Sequence, residues 1–121
     1  MAVEVLGTQI RVPQGDTGAV KFVCNPGVIA DSDRAMFTVS TRNGGVVMRK
    51  VLSPQIENIE FHLPLVFSDT SAMRPDTYEW SLRIVRGGTF GENGKILSAD
   101  GINTPVIKGR MTIIPVAGGA R

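Results

Sequence analysis

The 121 residues contain one cysteine, one histidine, one tryptophan and one tyrosine. A lone Cys24 excludes an internal disulfide, so stability has to come from packing. Cys24 shares strand parity with Val20 and Phe22 and reads as a small buried hydrophobe rather than a reactive thiol. A lone His62 excludes the histidine clusters that hold zinc and leaves nucleophilic catalysis with one candidate for its usual base. His62 falls on the polar parity between Phe61 and Leu63, the position of an exposed strand histidine. Aromatic residues make up only 6% of the chain, which leaves few platforms for stacking sugars. Charge is nearly balanced, with 13 basic and 11 acidic residues and a net +2, and no run of like sign makes an electrostatic case for nucleic acid. Nowhere is there the run of about 18 apolar residues that a membrane-spanning helix needs. The start, Met-Ala-Val-Glu-Val-Leu-Gly, carries an acid where a secretion signal requires a basic segment, so membrane insertion is not expected and synthesis is expected in the cytoplasm.

Apolar residues and turn formers are abundant instead. The apolar fraction is 42%, and 14 Gly and 7 Pro stand between the apolar runs. A chain of this length forms one domain and buries roughly two thirds of its unfolded surface. The boundaries expected are 1–116 for the domain and 117–121 for a flexible tail rich in Gly and Ala.

The best-patterned stretch is Tyr78 to Arg86, in which Tyr78, Trp80, Leu82 and Ile84 alternate with Glu79, Ser81 and Arg83, the period of a half-buried strand. A polar loop with Pro75 delivers the chain into it. Val3 to Val12 reads as a first strand with Leu6, Thr8, Ile10 and Val12 on one parity, and Ala19 to Cys24 as a second. Arg34 to Arg42 and Val46 to Leu52 flank Asn43-Gly44-Gly45, a hairpin signal, with a bulge expected in the returning arm. Ile59, Phe61, Leu63, Leu65 and Phe67 share one parity, and Pro64 places that strand at an edge or at a change of sheet. Lys95 to Ser98 reads as a short extra strand, and Val106 to Val116 closes the chain with Ile107, Met111 and Ile113 inward. Seven to nine short strands without helical periodicity predict an all-β fold, an antiparallel two-sheet β-sandwich. The segment before Tyr78 predicts a tyrosine corner, with the phenol bonded to backbone near Ser71 to Arg74. Trp80 stands where antibody domains carry a disulfide cysteine, so the likeness is to an immunoglobulin-like architecture without its covalent pin.

Catalytic patterns are weak. Asp31 with Asp33, Asp69 with Asp76, and Glu57 with Glu60 are the carboxylate pairs available for acid–base work, and all fit loops or solvent faces. Asp31-Ser32-Asp33 lacks the glycine and terminal acid of a calcium loop, and Gly87-Gly88 and Gly91-Glu92-Asn93-Gly94 lack the Lys-Ser/Thr of a phosphate loop. No catalytic residue, cofactor or metal site is expected. Outward Arg42, Arg49, Lys50, Arg83 and Arg86 are candidates to collect on one face against an acidic partner, and Phe90 is the one aromatic expected to be exposed.

From Phe61 to Val85 the alternating strand, Asp69-Thr70, and Met-x-Pro-x-x-Tyr-x-Trp-x-Leu-x-Ile, followed by a Gly turn and a last strand ending near Pro115-Val116, resemble the immunoglobulin-like domains of phage and prophage tail proteins, in particular the N-terminal domain of upper baseplate proteins. The resemblance implies a non-enzymatic virion module, in tail, baseplate or decoration, that binds other virion proteins or forms a homo-oligomer. It implies synthesis in a bacterial cytoplasm followed by incorporation into a particle. Tyr78, Trp80 and Pro75 are then structural. A carbohydrate-binding module of sandwich type is the alternative, and it requires an exposed aromatic cleft.

Overall fold

Alternation of apolar and polar residues sorts most of this chain into strands, and the computed structural model places them in two main sheets. It describes residues 3–23, 29–55, 60–92, 95–99 and 101–115, and over 102–106 the backbone alone. Cys24, Glu57, Asn93-Gly94 and the tail 117–121 lie outside the described residues. The strands are β1 (Glu4–Leu6), β2 (Gln9–Pro13), β3 (Gly18–Val23), β4 (Arg34–Ser40), β5 (Val46–Leu52), β6 (Pro54–Gln55), β7 (Glu60–Leu65), β8 (Thr77–Arg86), β9 (Thr89–Phe90), β10 (Ile96–Ser98) and β11 (Gly101–Ile114), with one helical turn, α1 (Phe67–Thr70). A six-stranded sheet runs β1-β2-β11-β8-β4-β5, a three-stranded sheet runs β3-β7-β6, and β9 and β10 pair as a separate hairpin.

The two main sheets share one core. Tyr78, Trp80, Leu82 and Ile84 of β8, Phe37 and Val39 of β4, and Ile10 and Val12 of β2 are buried in the same cluster as Val20, Phe22, Phe61, Leu63 and Leu65 of the smaller sheet. Three rings meet across the gap: Phe22 lies 5.7 Å from Trp80 and 6.1 Å from Phe37, and Phe37 stacks on Trp80 at 5.6 Å. Within the large sheet, β8 is flanked by β11 and β4, so the best-patterned stretch of the sequence is an interior strand.

The loop before β8 is pinned from three sides. The Tyr78 hydroxyl donates to the Arg74 carbonyl at 2.7 Å, the tyrosine corner expected from the sequence. The Gln14 side-chain amide donates to the Met73 carbonyl at 2.7 Å, and the Gly15 N–H donates to the buried Thr70 hydroxyl at 2.8 Å. Each bond satisfies a polar group that the crossover between sheets would otherwise leave exposed to the core.

Several elements differ from expectation. The sheets are mixed rather than wholly antiparallel, because β11 runs parallel to β2 from Arg110↔Gln9 to Ile114↔Pro13. The first strand is two, folded together through Gly7-Thr8 with Leu6 opposite Gln9; Gly7 adopts φ 63°, which that turn requires, and Leu6 ends 56% exposed. Phe67 does not continue the parity of Phe61, Leu63 and Leu65: it opens α1 and is 52% exposed. The Asp69 carboxylate accepts from the Val66 N–H at 2.8 Å and turns the chain there. At Pro64 the strand has a paired strand on one side only among the described residues, since β3 pairs with it at Ala19 while β6 reaches only Phe61 and Glu60. The bulge expected in the returning arm is there: Val39 pairs with Met48 and Ser40 with Val46, which leaves Val47 of β5 as the extra residue.

Candidate functional site

The outward parity of the large sheet is built from the residues between the core positions: Met36, Thr38 and Ser40 on β4, Glu79, Ser81, Arg83 and Val85 on β8, Arg49 and Val51 on β5, and Lys108 and Arg110 on β11. Strand register aligns Arg49, Thr38, Ser81 and Lys108 in one row across the sheet. The row has a cation at each end and hydroxyls between.

Part of this face is roofed. Val85 and Met36 point outward yet are buried, and neither belongs to the core between the sheets. The β9–β10 hairpin covers them: a Cβ on Gly88 would stand 2.6 Å from Val85 and 3.1 Å from the Phe90 ring, and Ile96 lines the same groove as Met36. The hairpin thereby makes a wall. Below it is an open groove of about 370 Å³ bounded by Arg49, Arg83 and Lys95, with Thr38 and Ser81 on its floor. A second groove shares Ser81 and adds Lys108, Arg110 and Glu79. Further along, Arg42 and Arg110 border a third, and Arg42, Arg74 and Asp76 a fourth, each reaching Thr77 and Tyr78.

The grooves are contiguous and strongly basic. Seven cations line them against the two acids Glu79 and Asp76, a net +5, whereas the whole chain carries +2. The remainder is therefore net −3, and the charge balance of the sequence conceals a segregated surface. Among the described residues, Arg49, Arg83, Lys95, Lys108 and Arg110 form no ion pair. Their donors are free for a partner.

Of the surface residues singled out from the sequence, the fold brings together Arg49 and Arg83, with Arg42 at the far end of the same face. Lys50 goes elsewhere. It lies on the inward parity of β5 with Met48 and Leu52, at the sheet edge, and its ammonium reaches past the core to the Asp69 carboxylate and the Pro64 carbonyl, at 2.8 and 2.9 Å. Arg86 continues the inward parity of β8 and ion-pairs with buried Asp33, whose carboxylate also accepts from the Ala30 N–H at 2.9 Å. Both cations fasten loops to the sandwich. Phe90 is half-buried under its own hairpin rather than exposed. Pro75 is exposed in the loop, one residue after the carbonyl that anchors Tyr78. Sequence reading passed over Lys95, Lys108 and Arg110, although the outward parity of Lys108 and Arg110 in the last strand was visible; what was missing was that β11 lies beside β8.

The other candidates for chemistry are dispersed. His62 is exposed on β7 and lies 2.8 Å from Glu60 of its own strand. Among the described residues no cluster of three His, Cys, Asp or Glu is placed to hold a metal ion, and no helix is long and apolar enough to cross a membrane. Comparison of the sequence with protein-family models and with curated proteins gives no match.

Proposed function

We propose that the chain is an immunoglobulin-like sandwich acting as a non-enzymatic interaction module, a structural component of a phage or prophage particle. The strand order supports the architecture. A sheet of β11, β8, β4 and β5 facing one of β3, β7 and β6 corresponds to the G, F, C and C′ strands of a variable-type domain facing B, E and D. Tyr78 occupies the tyrosine corner, and Phe22, Trp80 and Phe37 pack where antibody domains place the disulfide pair and its tryptophan. The resemblance of the Phe61–Val85 stretch to phage tail domains supplies the setting.

The observation that carries the function is the open outer face of the large sheet. It is broad, lined by hydroxyls and by cations that form no ion pair among the described residues, and flanked at the β5 edge by exposed Val46 and Val47. Small-molecule sites enclose their ligand in a concave, mostly apolar pocket, whereas an open face of cations and hydroxyls suits a protein partner of complementary charge. Sugar binding has less support, because among the described residues Phe67 on α1 is the one aromatic side chain more than half exposed, and a single ring does not make an aromatic cleft. Molecular mass measured by light scattering across concentration tests the proposal, together with a glycan array. A defined oligomer, or a complex with another particle protein, supports it. Glycan binding that disappears in Phe67→Ala replaces it with sugar recognition.

A further inference from the structure

Resting on that reading, we infer that the outer face of the large sheet receives an extended acidic segment of a partner polypeptide, with carboxylates held by Arg49 and Lys108 at the ends of one cross-strand row and by Arg83 beside it. The charge segregation is the first ground: a +5 face on a +2 chain selects an anionic partner. Guanidinium groups match carboxylates with two parallel N–H donors, and Thr38 and Ser81 place hydroxyls between Arg49 and Lys108. Spacing is the second ground. The row from Arg49 through Thr38 and Ser81 to Lys108 crosses three strand intervals, about 14 Å, which equals the rise of about four residues of an extended peptide. Acids four residues apart on one side of the segment therefore meet both ends of the row. Ile96, half-buried in the hairpin wall, gives its apolar side chains a surface.

The alternative polyanion, single-stranded nucleic acid, requires aromatic platforms on which bases stack. The aromatic rings bordering these grooves are Trp80 and Tyr78, and both are buried in the core. The face can hold charge but has no ring to offer a base.

The test is fluorescence anisotropy with a labelled peptide of alternating Glu and Ser, its Gln counterpart, and an oligothymidylate of equal charge. Each is titrated with the full chain at low salt and at about 0.15 M. Preferential binding of the Glu peptide is expected, weakening as salt rises, with a loss of about ten-fold or more in the doubly reversed R49E/R83E chain. K21E, on the exposed face of the smaller sheet, is expected to stay within about two-fold of the parent. R49Q/R83Q serves if charge reversal lowers the unfolding midpoint, and is expected to lose affinity in the same direction. Equal binding of the Glu and Gln peptides, equal loss in K21E, or oligothymidylate binding at least as tightly through Arg49 and Arg83 overturns the inference. A chain that ignores the Glu peptide yet forms its oligomer or complex in light scattering overturns this inference alone and leaves the module reading standing.

Discussion

The two faces of β8 differ in almost everything except backbone. Inward, Tyr78, Trp80, Leu82 and Ile84 are buried against the opposite sheet; outward, Glu79 and Arg83 stand in water and Ser81 lines a groove. Residues next to each other in sequence therefore face separate environments, one set the core and the other the face proposed to bind a partner. Val85 marks where the division fails. It points outward but is buried, because the β9–β10 hairpin turns that end of the outer face into a second small interior.

Substitution can break the comparison at its strongest point. Trp80→Ala removes the ring between Phe22 and Phe37 and the indole N–H that donates to the Thr8 carbonyl at 2.9 Å. A loss of about 4 kcal/mol is expected in urea denaturation. Gly109 lies on the inward parity of β11 where the β1–β2 turn presses closest: a Cβ there would stand 2.0 Å from the Thr8 carbonyl oxygen. Gly109→Ala is expected to cost about 2 kcal/mol and to push that turn off the indole, visible as a changed tryptophan emission before the main transition. Tyr78→Phe keeps the ring and deletes the hydroxyl that holds Arg74, with about 1 kcal/mol lost in the same denaturation measurement. At the weakest end, Arg83→Ser on the outward face is expected to shift stability by less than about 0.5 kcal/mol. A loss from Arg83→Ser as large as that from Tyr78→Phe would show that the outer face carries folding energy, and the division between faces would not hold.

A similar contrast separates the cations. Arg49 and Arg83 sit on outward positions of β5 and β8 and remain unpaired among the described residues. Lys50 and Arg86 sit one parity away or at a strand end, where the core edge leads them to Asp69 and Asp33. In the sequence all four look alike, as basic residues in amphipathic strands. Parity was readable for Arg83, because the alternation around it is clean, but not in Val46–Leu52, where apolar residues occupy both sides. Arg86, expected outward, instead continues the inward parity of Tyr78 to Ile84, and its carboxylate partner comes from a loop more than fifty residues earlier.

Local pattern carried the strands, the Asn43-Gly44-Gly45 hairpin and the tyrosine corner, because each depends on residues within a few positions of one another. Alternation sets which side chains leave water, turn residues set where the chain reverses, and a phenol four residues from its carbonyl partner meets it by geometry alone. Those features the sequence by itself determined, and with them the all-β class and most of the core. The parallel pairing of β2 with β11 joins residues about a hundred positions apart and depends on one glycine admitting the Thr8 carbonyl, which no local pattern announces. The collection of scattered cations on one face has the same origin. Strand order decides which outward positions become neighbours, and strand order follows from how two apolar faces close over each other, a property of the whole chain that only the tertiary structure settles.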